Sequence, residues 1–202
     1  MRRPGPIYLV RHGQTTWNRE GRFQGQRDAP LTDLGIEQAR SVGRRLRREL
    51  GDLAETPMIS SPLGRCRHTV RLICEAAGWG DAETIYDDRL MEVHFGRWEG
   101  LTGDEIEQRD AEEWAARVDD TWYHRIPEGE SYEDVARRVA EWMAERPPSL
   151  PTVAVCHGGT GVVLRGLYLN LSPDEILALD KPQGVVVLLS DGEEIVLPGI
   201  AG

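Results

Sequence analysis

Arg11, His12 and Gly13 stand together at the end of a short apolar run, Ile7-Tyr8-Leu9-Val10. A guanidinium beside an imidazole at a strand end makes an oxyanion site, because arginine grips phosphate oxygens in a bidentate fork and stays charged at any relevant pH. Gly13 lets the backbone approach a bound group closely. His157 follows a second apolar run, Thr152 to Cys156, and is likewise followed by glycine. Taken singly, each residue also has an ordinary reading. Arg11 can be a solvated cation, His12 and His157 satisfied core imidazoles, Arg65 an exposed helix arginine and Glu92 a surface acid.

The elements that must position these residues follow from apolar patterning. Ile7 to Val10, Met58 to Ser60 and Thr152 to Cys156 read as strands buried on both faces. Leu31 to Leu50 reads as a helix capped by Thr32, with Ile36, Ala39, Leu46 and Leu50 on one face. Ser61-Pro62 predicts a helix start, a cap followed by proline at the first position, running through Arg65 to about Ala77. Thr102 to Val118 reads as one acidic helix. Ser131 with Asp134 resembles a capping box, with an apolar face at Val135, Val139, Trp142 and Met143. A helix follows His157 to about Leu169, and Val185 to Leu189 and Ile195 to Leu197 flank a hairpin turn at Asp191-Gly192. Arg146 to Pro151 reads as a loop. Alternating strands and helices predict one α/β domain over 1–202, a three-layer αβα sandwich with a mostly parallel central sheet flanked by helices. In such sheets ligands sit beyond the carboxyl ends of the strands, where His12 and His157 both fall.

The 202 residues suffice for one substantial core. The formal net charge of −10 argues against binding to nucleic acid or an anionic membrane. Any anionic substrate must therefore find a local basic pocket. Three cysteines without a CxxC pair argue against a disulfide framework or zinc knuckle. The N-terminal stretch has Arg2 and Arg3 but only the four-residue run Ile7 to Val10, too short for a signal peptide or membrane span, and a cytoplasmic location is expected. Cys156 invites a cysteine-phosphatase reading, but the arginine that chemistry needs six positions later is Val162. Gly158-Gly159-Thr160-Gly161 lacks the lysine of a P-loop and the spacing of a dinucleotide fingerprint. Two histidines and Glu92 suggest zinc, but flanking arginines would repel a cation, so neither metal nor other cofactor is expected.

Five blocks, in order along the chain, carry a resemblance. They are Leu9-Val10-Arg11-His12-Gly13-Gln14-Thr15 with Trp17-Asn18; Phe23-Gln24-Gly25 with Asp28, Pro30, Leu31 and Thr32; Ser60-Ser61-Pro62-Leu63 with Arg65 and Thr69; Glu92 with Phe95-Gly96, Trp98-Glu99-Gly100 and Leu101-Thr102; and Cys156-His157-Gly158-Gly159. Together they resemble the histidine phosphatase superfamily, also called phosphoglycerate mutase-like. Cys66 departs from the family's frequent alanine, a small apolar exchange.

The resemblance implies a metal-independent reaction through a phosphohistidine. His12 would be the nucleophile, with its protonated form disfavoured by Arg11, Arg65 and His157. The same groups would offset charge on the transferring phosphoryl group. Asn18, Gln24 and Gly158 complete the implied phosphate- or substrate-binding set. Glu92 would protonate the leaving oxygen and then take a proton from water, its acid form favoured by repulsion from bound dianionic phosphate.

The family holds phosphatases and cofactor-dependent mutases. Gly103 to Trp114 carries six acidic residues and one basic one, a lid poorly suited to a second anionic group or else simply a solvated helix face. The Phe95-Gly96-Arg97-Trp98-Glu99-Gly100 form resembles the family's phosphatases. The expected activity is therefore hydrolysis of a small phosphorylated metabolite, with a phosphoglycerate mutase as the alternative. A non-catalytic phospho-ligand binder is a second alternative, whose mark would be loss of one of the five key residues. Trp122, Tyr123 and His124 are candidates to border the leaving-group pocket. The sequence leaves the oligomeric state open, a homodimer being compatible with it.

Overall fold

The computed structural model describes residues 5–53, 56–80 and 83–202, so Arg2 and Arg3 lie outside the described residues. Strand β1 (Ile7–Arg11) is followed by a short helix α1 (Thr16–Arg19) and the long α2 (Asp33–Leu50). Then come β2 (Met58–Ser60), α3 (Gly64–Ala77) and β3 (Thr84–Tyr86). Two 3-10 turns, Asp88–Leu90 and Gly96–Trp98, lead to α4 (Gly103–Arg109) and α5 (Ala111–Asp119). The chain ends with α6 (Tyr132–Ala144), β4 (Thr152–Cys156), α7 (Gly158–Leu169), α8 (Pro173–Ala178), β5 (Val185–Ser190) and β6 (Glu193–Pro198).

The six strands form one sheet in the order β3-β2-β4-β1-β5-β6. The β1–β4, β2–β4 and β2–β3 ladders are parallel, whereas β5 runs antiparallel to β1 and β6 to β5. Side chains alternate across the sheet as the strand period demands. Ile7, Leu9, Ile59, Ala154, Cys156 and Val187 join a cluster containing Val135, Val139 and Trp142 of α6 and Val162 to Leu164 of α7. Val10, Met58, Val153, Val155 and Val186 join the opposite cluster, with Val42 and Leu46 of α2 and Val70 and Ile73 of α3. Two helical layers thus sandwich the sheet, as the apolar patterning predicts.

Several local expectations are corrected. Ser61 does not cap α3; the helix begins at Gly64, and the distant Asp28 carboxylate accepts from the Gly64 and Arg65 N–H groups. Ser61 serves a histidine instead, described below. The single helix expected over Thr102 to Val118 is two, broken at Asp110 (φ −134°, ψ 47°), whose carboxylate accepts from Arg97 Nε and Trp98 Nε1 at 2.8 Å each. Tertiary bonds there override the helical pattern. The short β3, α1 and α8 carry too few residues to show a period. The β5–β6 turn has Asp191 and Gly192 at φ 53° and 83°, the left-handed pair a two-residue hairpin needs.

Candidate active site

β1 and β4 are adjacent and parallel, with Arg11 opposite Cys156 in register, so His12 and His157 emerge side by side at the carboxyl edge of the sheet. The His12 N–H donates to the Cys156 carbonyl at 3.0 Å, and the two ring centroids are 5.2 Å apart. β2 ends beside them, with the Ser61 N–H on the Val155 carbonyl. α3 starts four residues after β2 and swings Arg65 under both rings. Arg11, His12, Arg65, Glu92 and His157 come together at this edge, and with Asn18, Gln24 and Gly158 all but His157 line one pocket of about 200 Å3. His157 lies directly behind it, 0% exposed.

The His12 ring is 2% exposed, and its Nδ1 is 2.8 Å from the Gly13 carbonyl. A carbonyl only accepts, so Nδ1 carries the hydrogen and Nε2 the lone pair. The Gly13 N–H is held by Thr69 Oγ1 at 3.1 Å. A Cβ on Gly13 would lie 2.2 Å from the Gly35 carbonyl oxygen, so this loop position admits only glycine. Arg65 Nε donates into the gap between the rings, 3.2 Å from His12 Nε2 and 3.1 Å from His157 Nδ1. Both nitrogens must therefore be acceptors. His157 Nε2 then carries its hydrogen and donates to Ser61 Oγ at 2.7 Å. Burial, with the Arg65 and Arg11 cations next in weight, holds the His12 imidazolium well below its ordinary value of 6.5. Burial followed by Arg65 does the same to His157.

Arg65 is itself immobilised. Its Nη1 donates to the Arg27 carbonyl at 2.7 Å and to Asp28 Oδ1 at 3.0 Å, and its Nη2 to the Gly25 carbonyl at 2.6 Å. Arg11 crosses Gly158 closely enough that a Cβ there would lie 3.3 Å from the guanidinium, and its Nη1 donates to the Lys181 carbonyl at 2.5 Å. Burial lowers the Arg11 guanidinium from its usual value while Glu92 opposes that effect. Two buried donors around the pocket, Arg11 Nε and Gln24 Nε2, meet no acceptor among the described residues. Such orphaned N–H groups are costly unless a ligand oxygen completes them. Thr15 Oγ1 donates to Gln24 Oε1 at 3.0 Å and so orients the free amide NH2. Asn18 turns its Oδ1 to the Thr15 N–H and to Gln183 Nε2, at 3.1 and 3.3 Å, which directs its NH2 to the pocket.

Glu92 closes the far wall, 9% exposed. Its Oε1 accepts from the Val93 and Thr160 N–H groups at 3.0 Å each, and its Oε2 from the Gly159 N–H at 3.1 Å. The first turn of α7 thus holds the carboxyl group, an arrangement the helix dipole favours. A Cβ on Gly159 would lie 2.7 Å from Glu92 Oε1 and 2.8 Å from Val93 Cγ2, so glycine is needed for this approach. Oε2, with one N–H bond, is the oxygen with a lone pair to spare for a proton.

Sequence reasoning gave no part in the site to Asp28, Ser61, Thr69, Tyr132, Lys181 or Gln183, and read Ser61 only as a helix cap, although Asp28, Ser61 and Thr69 stand inside the resembling blocks. Tyr132 and Lys181 line the pocket. Trp122, Tyr123 and His124 do not; Trp122 stacks on Tyr132 with centroids 6.2 Å apart, and Tyr123 is exposed. No side chain of α4 or α5 lines the pocket, so the acidic stretch is a solvated face rather than a lid. Glu105 pairs with Arg22 and Asp110 with Arg97. The Cys156 thiol is pushed up to about 12, chiefly by burial, which leaves it no nucleophile. Among the described residues no group of three or more His, Cys, Asp or Glu side chains is arranged to hold a metal ion, and no helix is long and apolar enough to cross a membrane.

The family model for the histidine phosphatase superfamily (branch 1) matches residues 7–197. The chain belongs to this family. Relatives within the histidine phosphatases include a probable phosphoglycerate mutase GpmB of Erwinia tasmaniensis, 38% identical over 168 residues, 82% of this chain and 75% of that one. The protein of the same name from Shigella dysenteriae serotype 1 is 40% identical over 156 residues, 75% of this chain and 69% of that one. Among solved structures, a mycobacterial glucosyl-3-phosphoglycerate phosphatase is 31% identical with a TM-score of 0.75, covering 98% of this chain and 99% of that one. The alpha-ribazole phosphatase from Shigella flexneri is 25% identical with a TM-score of 0.79, over 98% and 96%. As a member of this family the protein is an enzyme of the phosphatase and mutase group.

Proposed function

We propose that the protein hydrolyses small phosphomonoesters without a metal, through a phosphohistidine on His12. The observation that carries this is the tautomer lock. Gly13 takes the Nδ1 hydrogen, so Nε2 offers its lone pair at the point where Arg65 Nε aims. A phosphoryl group seated there would meet the Arg65 Nε–H and the orphaned donors of Arg11 and Gln24. His12 Nε2 attacks phosphorus as the ester P–O bond breaks, and the Glu92 proton passes to the leaving oxygen to give the free alcohol. The positive charge developing on the ring is met by the Gly13 carbonyl at Nδ1. Water then attacks the phosphohistidine, its proton goes to Glu92 and the P–N bond breaks. Phosphate leaves and the neutral imidazole is restored. Fixed donors around the transferring group are the largest expected contribution to rate.

A mutase reading is favoured by the name of the sequence relatives at 38–40% identity, and a hydrolase reading by the names of the two solved structures described above, at 25% and 31% identity. A mutase must retain an intermediate with two phosphates. Beyond Arg11 and Arg65, the cations lining the pocket are Arg22, held by Glu20 and Glu105, and Lys181. That is meagre provision for a second phosphate and supports hydrolysis. The test is phosphate release from a panel of phosphomonoesters with chelator present, beside rapid-quench recovery of labelled phosphoryl enzyme. Label on His12, and its disappearance with turnover in His12→Asn, is the expected result. Turnover retained in that variant, or activity abolished by the chelator, overturns the proposal. Isomerisation of a phosphoglycerate without phosphate release replaces it with the mutase.

A further inference from the structure

Of the 24 basic residues in this chain, 23 are arginine, and the single lysine, Lys181, lines the pocket that holds His12. Its backbone is pinned. The Lys181 carbonyl accepts from Arg11 Nη1, and the preceding Asp180 carbonyl from Arg165 Nη1, at 2.5 Å each. Two residues on, Gln183 Nε2 donates to the His12 carbonyl at 2.9 Å. The segment is therefore fixed to α7 through Asp180 and to the end of β1 through Lys181 and Gln183, while the Lys181 side chain is exposed.

The charge on that side chain is uncommitted. Among the described residues no carboxylate lies within 4.0 Å of its ammonium. The adjacent Asp180 carboxylate is taken by Arg165 at 2.9 Å. The nearest partner of Lys181 Nζ is the Tyr132 hydroxyl at 3.5 Å, with Nζ 5.9 Å from the ring centroid. Tyr132 is 4% exposed, and its hydroxyl lies 3.2 Å from the position a Cβ on Gly159 would take, in the same wall as Glu92. The ammonium thus reaches the pocket against the wall that Tyr132 and Glu92 share. Arg22, the other cation at the mouth, is neutralised by Glu20 and Glu105 at 3.1 and 2.7 Å.

We infer that Lys181, steadied by Tyr132, is the specificity residue for a carboxylate on the alcohol part of the phosphomonoester. A compact ammonium on a flexible stem suits a point contact with an anion whose position varies between substrates, whereas the phosphate itself meets the rigidly held Nε–H groups of Arg65 and Arg11. This rests on the phosphohydrolase reading above and deepens it.

The test uses two competitors that differ at one group. Phosphoglycolate carries a carboxylate where 2-hydroxyethyl phosphate carries a hydroxymethyl. Inhibition constants for both are measured against hydrolysis of 4-nitrophenyl phosphate by the full chain. Wild type should bind phosphoglycolate about tenfold more tightly than the alcohol, and the preference should shrink with added salt. Lys181→Met should bring the ratio near one, and Lys181→Arg should keep most of it. Equal constants in wild type, or a ratio unchanged in Lys181→Met, overturns the inference while leaving the phosphohydrolase standing. Failure of His12-dependent 4-nitrophenyl phosphate hydrolysis removes the underlying reading and this inference with it.

Discussion

On the floor of the pocket, Arg65 commits every donor nitrogen: two main-chain carbonyls and Asp28 take the outer pair, and two imidazoles share Nε. At the mouth, Arg22 is bound to two partly exposed acids and Lys181 to none. The floor is buried and hydrogen-bonded throughout, so its geometry is single-valued and its electrostatics are strengthened by the low local dielectric. The mouth is solvated, so its charges are screened and its side chains can reposition. Chemistry common to all phosphomonoesters belongs on the first kind of surface and discrimination among leaving groups on the second. Substitutions should therefore be severe and substrate-independent below, mild and substrate-dependent above.

The sharpest break is Arg65→Lys. A lysine keeps the charge but cannot supply Nε–H to the rings and both Nη donors to Gly25, Arg27 and Asp28 at once. We expect kcat/KM to fall about 10^2- to 10^3-fold, the scale for removing a preorganised donor, with equal losses for carboxylated and neutral substrates. A loss below tenfold, or one confined to carboxylated esters, would erase the distinction between floor and mouth.

The floor also imposes a pH dependence on folding. His12 and His157 are both held well below 6.5 in the folded protein. Above about pH 6.5 neither state binds a proton and they contribute no slope. Below it the unfolded chain takes up protons that the folded chain refuses, so stability is lost as pH falls. Each histidine adds up to about 1.4 kcal/mol per pH unit in that window. His68, lowered mainly by partial burial, acts in the same direction. Denaturant titrations at pH 7.0, 6.5, 6.0 and 5.5 should show the midpoint flat at first and then falling. The kcat/KM profile should lack an acid limb near 6.5, since His12 is already neutral there. A limb at that pH that does not follow the phosphate ionisation of the substrate used would mean that the imidazole is not shielded as its burial requires.

A milder perturbation of the floor is Ser61→Ala. It removes the acceptor that fixes the Nε2–H tautomer of His157, leaving the Cys66 thiol at 3.4 Å as a poor substitute. The other tautomer would then turn a hydrogen toward Arg65 Nε. We expect about a tenfold fall in kcat with KM little changed, a positional loss rather than a binding one. Ser61→Thr, which restores the hydroxyl, should recover most of it; no recovery would reduce Ser61 to a packing role.

The same division explains what could be read from the sequence. β1 and β4 announce themselves because strands buried on both faces must be continuously apolar, and β1 ends in Arg11 followed by His12, β4 in Cys156 followed by His157. Those strands and α3 place Arg11, His12, Arg65 and His157, and the first turn of α7 holds Glu92 beside them. By contrast, Ser61 reads locally as a helix cap, and only the folded neighbour His157 claims it for another purpose, leaving Asp28, 36 residues from Gly64, to cap the helix. Asp110 splits α4 from α5 for a similar reason, since its partners Arg97 and Trp98 arrive from another turn. The acidic run Gly103 to Trp114 suggests a lid only while its facing is unknown. Lys181 has no periodic or motif context at all; its meaning comes from the Arg11 bond that pins its backbone beside the pocket.

Glu105→Gln offers the finest test of the mouth, because it alters charge there without touching the floor. Glu105 Oε2 accepts both from Arg22 Nη1 at 2.7 Å and from the Thr102 N–H at 2.8 Å, closing the capping box of α4. Glutamine can keep the box, so the helix start should survive. What is lost is half of the neutralisation of Arg22, which still has Glu20 at 3.1 Å. The freed positive charge faces the same pocket as Lys181. Binding of phosphoglycolate should therefore tighten about two- to threefold at low salt, while 2-hydroxyethyl phosphate is unaffected, a change opposite in sign to that of Lys181→Met. The gain should vanish at high ionic strength. Equal tightening of both competitors would mean that the added charge reaches the phosphate site itself, and that floor and mouth are electrostatically one region.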